Sequence, residues 1–300
     1  MRGTVPGGNV GLTAASRGGT LPSVTLLRGA LGLARSCHLG PTVAVTAVAA
    51  VLCAAVGHDA ASGTAVTSAV LAGQLSIGWG NDWLDRDRDR RTGRADKPLA
   101  AGSMPGTTVL AAARLAAVAC VPLSLLTGPG PGLLHLLAVA SGWSYNLGLK
   151  TTAASPLPFA VSFGLLPAYV VAAAPGPGGA PGWMIVAGAL LGTGAHFANV
   201  LPDLDDDLVT GVRGLGHRIG GPACAVVAAT MLAAAVTVLA FGPPGTPTAG
   251  GWLALAVTVP VGAAGLARGR RPGSRAPFTA VLVLAVVAVG LLLLAGGDLR

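Results

Sequence analysis

The chain has 300 residues, of which 52% are hydrophobic and only 10% carry a charged side chain. Soluble domains carry about a quarter charged residues, so these charges are too few to cover a globule of this size. The composition excludes a soluble or disordered protein, and four cysteines exclude a disulfide framework. It predicts an integral membrane protein with several spanning helices.

The N-terminal segment is rich in Gly, Ser and Thr and lacks the apolar core of a secretory signal. We expect residues 1–24 to be a disordered cytoplasmic tail and residues 25–300 to form one transmembrane domain. At the start of that domain, residues 25–36 suggest a short helix lying at the membrane surface ahead of the first span.

Uncharged stretches define the predicted spans. Residues 36–58, 60–81 and 276–297 are uncharged over 22 or 23 residues each, which suits one crossing of a bilayer. Three longer stretches are interrupted by Gly/Pro-rich segments, so each predicts two helices joined by a tight turn. The sequence thus predicts an all-α fold with about nine transmembrane helices, at residues 42–57, 61–82, 105–127, 132–148, 156–174, 183–203, 221–240, 251–267 and 276–296.

The net charge of +8 follows the predicted topology. Of the 19 Lys and Arg residues, 17 lie before the first helix or in the loops after even-numbered helices, and the alternate loops contain none. Basic loops stay on the cytoplasmic side, so we expect a cytoplasmic N-terminus and an external C-terminus. Membrane lipids are the expected surroundings, and the basic charge does not indicate a nucleic-acid partner.

The acidic residues are the most informative feature of the sequence. All eleven are Asp, and nine of them fall in two clusters, within residues 82–96 and 203–207. Each cluster lies at the predicted cytoplasmic end of an even-numbered helix. Carboxylates are costly in so apolar a chain, so their position indicates a functional site.

Helical periodicity divides the first cluster into two faces. On a helix, Asp82, Asp85 and Asp89 lie within about 60° of one another, whereas Asp87 points away. The cluster therefore presents three carboxylates to one side.

The second cluster also divides into two helical faces. Asn199, Asp203 and Asp207 follow one another at intervals of four residues, and Asp205 lies on the far side of the same helix. Two such carboxylate faces suit Mg²⁺, which prefers oxygen ligands and bridges to substrate phosphates. Nearby Arg and Lys side chains suit the phosphate oxygens themselves.

These motifs resemble a known family. The run NDWLDRDRD at residues 81–89, followed by Asp96-Lys97-Pro98-Leu99, is similar to the first signature of the UbiA superfamily of intramembrane prenyltransferases. The pair Asp203-x-x-x-Asp207, followed by Arg213, resembles its second signature, and Tyr145 with Lys150 resembles the segment between them. The resemblance covers residues 35 to 296 and implies a helical bundle around a central cavity.

The resemblance implies a Mg²⁺-dependent site for an isoprenyl diphosphate. Its diphosphate would be bridged by Mg²⁺ between the two motifs, and its chain would lie in the apolar cavity. The catalytic residues would be Asp82, Asp85 and Asp203. The metal ligands would be Asp82, Asp85, Asp89, Asp203 and Asp207, and the substrate-binding residues Asn81, Lys97, Tyr145, Lys150, Asn199 and Arg213.

Three functions remain open from the sequence. The first is transfer of the prenyl group to an aromatic, quinone-precursor or lipid acceptor. The second is a terpene cyclase on the same scaffold, in which the cation is quenched within its own chain. A transporter is the third, but transporters place their charges near the membrane midplane, whereas these acids lie at helix ends.

Overall fold

The structure is a computed structural model that describes residues 22–176, 178–204 and 211–269, together with positions 3, 207, 276, 279–280, 283–284, 286–287 and 290–291. Regular secondary structure in these residues is helical throughout. The helices are α1 (Pro22–Arg35), α2 (Leu39–Ala55), α3 (Ala60–Arg91), α4 (Gly106–Leu125), α5 (Pro129–Asn146), α6 (Leu157–Ala172), α7 (Gly182–Val200), α8 (Leu215–Ile219), α9 (Gly221–Phe241) and α10 (Ala249–Gly269). Two 3₁₀ turns, Leu149–Thr151 and Leu201–Asp203, follow α5 and α7.

The all-helical prediction is confirmed, and eight of the nine predicted spans have a counterpart among α2–α7, α9 and α10. The ninth, at 276–296, lies largely outside the described residues, so the count of nine stays a prediction. Helix α1 covers the segment for which a surface helix is expected and begins at Pro22, inside the predicted tail; its position at the membrane surface stays a prediction. Residues 4–21 of that tail lie outside the described residues.

Helix α3 is longer than predicted, because it continues to Arg91 instead of ending at residue 82. Its 32 residues span about 48 Å, whereas the hydrocarbon core of a bilayer is about 30 Å thick. At its end Gly93 has φ +68°, and the Arg94 amide donates to the Asp89 carbonyl at 3.0 Å. This glycine-terminated cap keeps the first Asp cluster helical and returns the chain towards it.

Within the residues that the structure describes, three helices are long and apolar enough to cross a membrane, namely Gly106–Leu125, Gly182–Asp203 and Gly221–Phe241. A fourth candidate joins the end of α1 to α2 across a 78° bend. Large apolar side chains such as Leu115, Leu126 and Val259 are exposed on the outside of the bundle. Such side chains are stable on a surface that faces lipid rather than water.

Close backbone contacts hold the helices around α7 together. Helix α6 packs along α7, and α9 packs along its other side. A Cβ atom at Gly192 would collide with the Phe159 carbonyl oxygen, and one at Gly188 would collide with that of Phe163. Small residues at such positions allow helix backbones to approach, which is a main source of stability between helices in lipid.

The substitution Gly192→Leu should therefore destabilise the bundle, because a carbonyl oxygen cannot move aside as a flexible side chain can. We expect a loss of about 1–3 kcal/mol, seen as a lower melting temperature of the detergent-purified protein. The matched control is Gly182→Leu, at the start of the same helix, where a Cβ meets nothing within 4 Å. Equal melting temperatures for the two variants would contradict this account of the α6–α7 contact.

Candidate active site

The first Asp cluster lies on the last turns of α3, with three carboxylates facing the protein interior. Asp82, Asp85 and Asp89 are only 2%, 7% and 3% exposed. The side chain of Asp87 is 63% exposed and pairs with arginines on the surface. The division into two faces therefore follows the helical periodicity of the sequence.

The second cluster begins where the helix of α7 tightens into a 3₁₀ turn. Helix α7 ends at Val200, and a 3₁₀ turn containing Pro202 carries the chain to Asp203. Proline lacks an N–H and removes one helical hydrogen bond, while the backbone angles at Val200, Leu201 and Leu204 stay in the right-handed helical region. Asn199 is exposed on the last turn of α7. The predicted outward direction of Asp205 lies outside the described residues.

Two arginines place the clusters beside each other. Arg94 Nη1 lies 3.2 Å from Asp203 Oδ1, and the same guanidinium pairs with Asp96 at 3.0 Å. Arg88 Nη2 lies 2.9 Å from Asp85 Oδ2, and its Nη1 lies 4.0 Å from Asp207 Oδ1. The ends of α3 and α7, more than a hundred residues apart in sequence, thus meet at one site.

Two lysines from different loops also reach the carboxylates. Lys97 Nζ lies 2.7 Å from Asp89 Oδ2 and 3.6 Å from Asp82 Oδ1. Lys150 Nζ, in the turn after α5, lies 2.5 Å from Asp85 Oδ1. Both predicted phosphate-binding lysines are therefore at the site and already paired with acids.

Burial and ion pairing shift the titration of the loop residues. Burial lowers the pKa of Lys150 from its ordinary value, and the neighbouring Asp85 carboxylate opposes this effect. Hydrogen bonds from Arg94 lower the pKa of the Asp96 carboxyl. The site therefore combines charges that are held in place by direct contacts with one another.

A hydrogen-bond network behind the first cluster was not predicted from the sequence. The Asn81 amide donates to Asp85 Oδ2 at 3.1 Å and to Asn146 Oδ1 at 3.0 Å. Asn146 in turn donates to the Ile77 carbonyl at 3.0 Å. His38 Nε2 lies 2.9 Å from Asn81 Oδ1, and since an amide oxygen only accepts, the imidazole donates. This network fixes the orientation of Asn81 and Asp85.

The strained backbone of His38 could not be predicted either. His38 has φ +53°. Among the residues that the structure describes, no other non-glycine residue has a positive φ. It follows the bend between α1 and α2, where the Cys37 carbonyl lies so close to α3 that a Cβ at Gly78 would collide with it. Such strain persists only where the surrounding structure enforces it.

The remaining predicted residues lie at the edge of the charged cluster. The Tyr145 ring packs edge-on against Phe159 and His196, with centroids 5.1 and 5.9 Å away. Arg213 is exposed, and its carbonyl accepts from Arg218 Nε at 2.9 Å. Its side chain is thus directed at solvent rather than at the carboxylates in this conformation.

Two histidines near the second cluster have different surroundings. His217 Nε2 lies 3.1 Å from Asp207 Oδ2, a contact that the sequence spacing did not indicate. His196 is buried, and its Nε2 lies 3.1 Å from Ser155 Oγ. Ser155 also accepts from the Leu215 amide, so His196 helps to hold the loop before α8 against α7.

The carboxylates suit a Mg²⁺ ion that is shared with a ligand better than one held by protein alone. Among the described residues, no three acidic, His or Cys side chains are close enough to enclose an ion. Asp82 Oδ2 is nevertheless buried without a hydrogen-bond partner, which leaves an acceptor free for a cation. Mg²⁺ is commonly held by one or two carboxylates together with waters and substrate phosphates, and this site meets that requirement.

A small cavity lies deeper in the bundle, between α2, α3, α5 and α6. Its volume is about 40 Å³. Ile77 lines it and also accepts the hydrogen bond from Asn146, so the cavity lies next to the network behind the carboxylates. Most of its walls are apolar, and its lining includes Val45, Val70, Gln74, His135, Val139 and Phe163.

Comparison with known proteins identifies the family and the fold. The sequence matches the UbiA prenyltransferase family over residues 42–280, and no curated protein matches it. The fold is similar to that of an apo UbiA homolog from Aeropyrum pernix K1, with a TM-score of 0.70 at 19% identity, covering 85% of this chain and 98% of that one.

Two further structures have the same fold. A UbiA homolog from Archaeoglobus fulgidus, solved with GPP and Mg²⁺, has a TM-score of 0.69 at 13% identity, covering 89% of this chain and 99% of that one. A digeranylgeranylglyceryl phosphate synthase has a TM-score of 0.64 at 14% identity, covering 89% and 97% respectively. Since the family match extends over most of the sequence and the fold agrees, the chain belongs to the UbiA prenyltransferase family.

Proposed function

We propose that this protein is a Mg²⁺-dependent intramembrane prenyltransferase that ionises an isoprenyl diphosphate and passes the prenyl group to an aromatic, quinone-precursor or lipid acceptor. The observation that carries the proposal is the meeting of two Asp clusters, from the ends of α3 and α7, among four cationic side chains. Family membership supports it. So does the Archaeoglobus homolog of the same fold, which was solved with GPP and Mg²⁺.

In this proposal the carboxylates hold the metal and the cations hold the diphosphate. Asp82, Asp85 and Asp203 are the essential ligands, with Asp89 and Asp207 completing the set. Mg²⁺, when bound, would neutralise the diphosphate oxygens as the allylic C–O bond breaks. Asn81 keeps Asp85 oriented through the hydrogen bond that it already donates.

The proposed phosphate contacts come from three loops and from the last turn of α7. Lys97 and Lys150 are ammonium donors within 3 Å of the carboxylates, so a diphosphate at the metal would lie within their reach. Arg213 and Asn199 lie on the rim and would reach the diphosphate only by reorienting their side chains.

The allylic part of the substrate would lie beneath the charged cluster. Tyr145 adjoins Asn146 in sequence and presents its ring beside Phe159 and His196. An aromatic face stabilises a nearby cation, which suits the carbocation formed as diphosphate leaves. The small, mostly apolar cavity lined by Ile77 lies next to the network, and at about 40 Å³ it has room for a short part of the prenyl chain.

We further propose that the site opens to the cytoplasm. The loops that bear Arg94, Lys97 and Lys150 meet at one end of the bundle, and such basic loops resist translocation. Isoprenyl diphosphates and Mg²⁺ are available on that side. The proposed orientation and the proposed chemistry therefore require the same membrane face.

The first test compares the two faces of α3. Asp85→Ala and its near-isosteric counterpart Asp85→Asn should each lower diphosphate release by roughly 100-fold or more, because a metal ligand is lost. Asp87→Ala should stay close to wild type, since that side chain faces solvent. The assay uses purified protein, Mg²⁺ and C10, C15 or C20 diphosphates, with melting temperatures as the folding control. Equal losses from the two positions would contradict the proposed site.

The second test separates transfer from cyclisation. With a diphosphate and no acceptor, we expect little product beyond the level of Asp85→Asn, because the cation has no partner to capture it. Addition of an acceptor-containing lipid extract should yield a larger, prenylated product, identified by mass spectrometry. A cyclic or hydroxylated hydrocarbon formed without acceptor, at a rate that the extract does not change, would replace transferase with cyclase.

The third test addresses orientation. The four native cysteines are buried, and they should be replaced before single cysteines are introduced. In intact cells, Thr246→Cys should react with an impermeant thiol reagent, because it lies in the predicted external loop before α10. Ala95→Cys, beside the Asp clusters, should react only after the inner face is exposed. Reaction of both positions from outside would contradict the proposed topology.

A further inference from the structure

Arg88 occupies a position among the carboxylates that neither the motif nor the proposed reaction accounts for. Its guanidinium contacts Asp85 at 2.9 Å, Asp89 at 3.9 Å and Asp207 at 4.0 Å. These are three of the five proposed metal ligands. The Arg88 side chain is 21% exposed, so it lies within the site rather than in bulk solvent.

Arg88 also differs from the other cationic side chains of the site in the carboxylates with which it forms ion pairs. In the part of the chain that the structure describes, Lys97 and Lys150 form ion pairs only with carboxylates of the first cluster. Arg94 contacts Asp203 of the second cluster, together with Asp96 in its own loop. Among the described residues, Arg88 alone forms ion pairs with proposed metal ligands from both clusters.

A free divalent cation would therefore meet carboxylates that are already paired with cationic side chains. Each of the five acids contacts at least one cationic side chain, and four such side chains share them. For a metal to bind between the clusters, Arg88 must give up its partners. A partly buried guanidinium without an anion is costly, so this displacement opposes binding of the metal alone.

A diphosphate would remove that cost, because its oxygens accept the planar guanidinium as well as carboxylates do. The metal and the diphosphate would then each make binding of the other easier, by the same factor in both directions. We infer that Arg88 is a resident counter-ion that couples metal loading to diphosphate binding. This inference rests on the proposed function. Arg88 acts as a positioning residue, since it holds the metal ligands until the substrate arrives.

The coupling can be measured without turnover. Mn²⁺ binding to the purified protein is followed by the loss of its free electron paramagnetic resonance signal, with and without geranyl S-thiolodiphosphate, which ionises very slowly. Wild type should bind Mn²⁺ weakly alone and much more tightly with the analogue. Arg88→Gln should bind Mn²⁺ alone roughly tenfold more tightly, because a positive charge next to the ligands is removed. The factor by which the analogue tightens Mn²⁺ binding should be roughly tenfold smaller in Arg88→Gln than in wild type.

Two variants control this experiment. Arg90→Gln removes the same charge two residues away, where the side chain pairs with exposed Asp87, and it should behave as wild type. Arg88→Lys keeps the charge and should keep weak binding of Mn²⁺ alone. A residue that merely supports the fold would lower Mn²⁺ affinity when replaced, so a gain in affinity identifies the counter-ion role.

Different results would contradict the inference alone or the proposed function as well. If Arg88→Gln binds Mn²⁺ alone no more tightly than Arg90→Gln, or if the analogue tightens binding equally in both, Arg88 does not couple the two ligands. If wild type binds Mn²⁺ tightly without the analogue, the inference also fails while the proposed function stands. If no protein binds Mn²⁺ even with the analogue present, both the proposed function and the inference fail.

Discussion

Five carboxylates gathered at the end of an apolar helical bundle must be neutralised, and the rest of the site depends on how this is achieved. Three of them are almost fully buried on α3. Carboxylates removed from water are stable only with close cationic or hydrogen-bonding partners. Arg88, Arg94, Lys97 and Lys150 supply these partners from α3 and two loops. Under the proposed function, these cations would be exchanged for a metal and an anionic substrate.

The helices are shaped to bring these charges together. Helix α3 extends beyond the thickness of the hydrocarbon core and ends at Gly93, whose positive φ directs Arg94 back to the second cluster. Pro202 ends the regular part of α7 just before Asp203. Behind them, the Asn81–Asn146 pair ties α3 to α5. Backbone geometry thus determines where each charge lies before any ligand is present.

Much of this arrangement could be predicted from local sequence patterns. Apolar stretches located eight helices, and helical periodicity separated the buried Asp82, Asp85 and Asp89 from the exposed Asp87. The family resemblance placed Lys97 and Lys150 near the acids. These successes share one cause, since each depends on residues close in sequence or on a motif with fixed spacing.

The features that could not be predicted depend on tertiary contacts. His38 and Asn146 join the site through hydrogen bonds across 43 and 65 residues, for which the sequence has no local signal. Arg88 belongs to an alternating Asp-Arg run that is typical of a solvated helix end, so its inward position emerges only in three dimensions. The 3₁₀ turn at Pro202 did have a signal, because a proline within a predicted helix indicates a change of geometry.

Both Asp clusters are proposed to hold one metal–diphosphate unit. The most direct measurement is ³¹P electron-nuclear double resonance of Mn²⁺ bound with geranyl S-thiolodiphosphate. Wild type should show strong coupling between Mn²⁺ and phosphorus, and Asp85→Asn and Asp203→Asn should each abolish it. Coupling that persists after the loss of either cluster would mean that the metal and diphosphate do not bridge the two motifs, and would contradict the account.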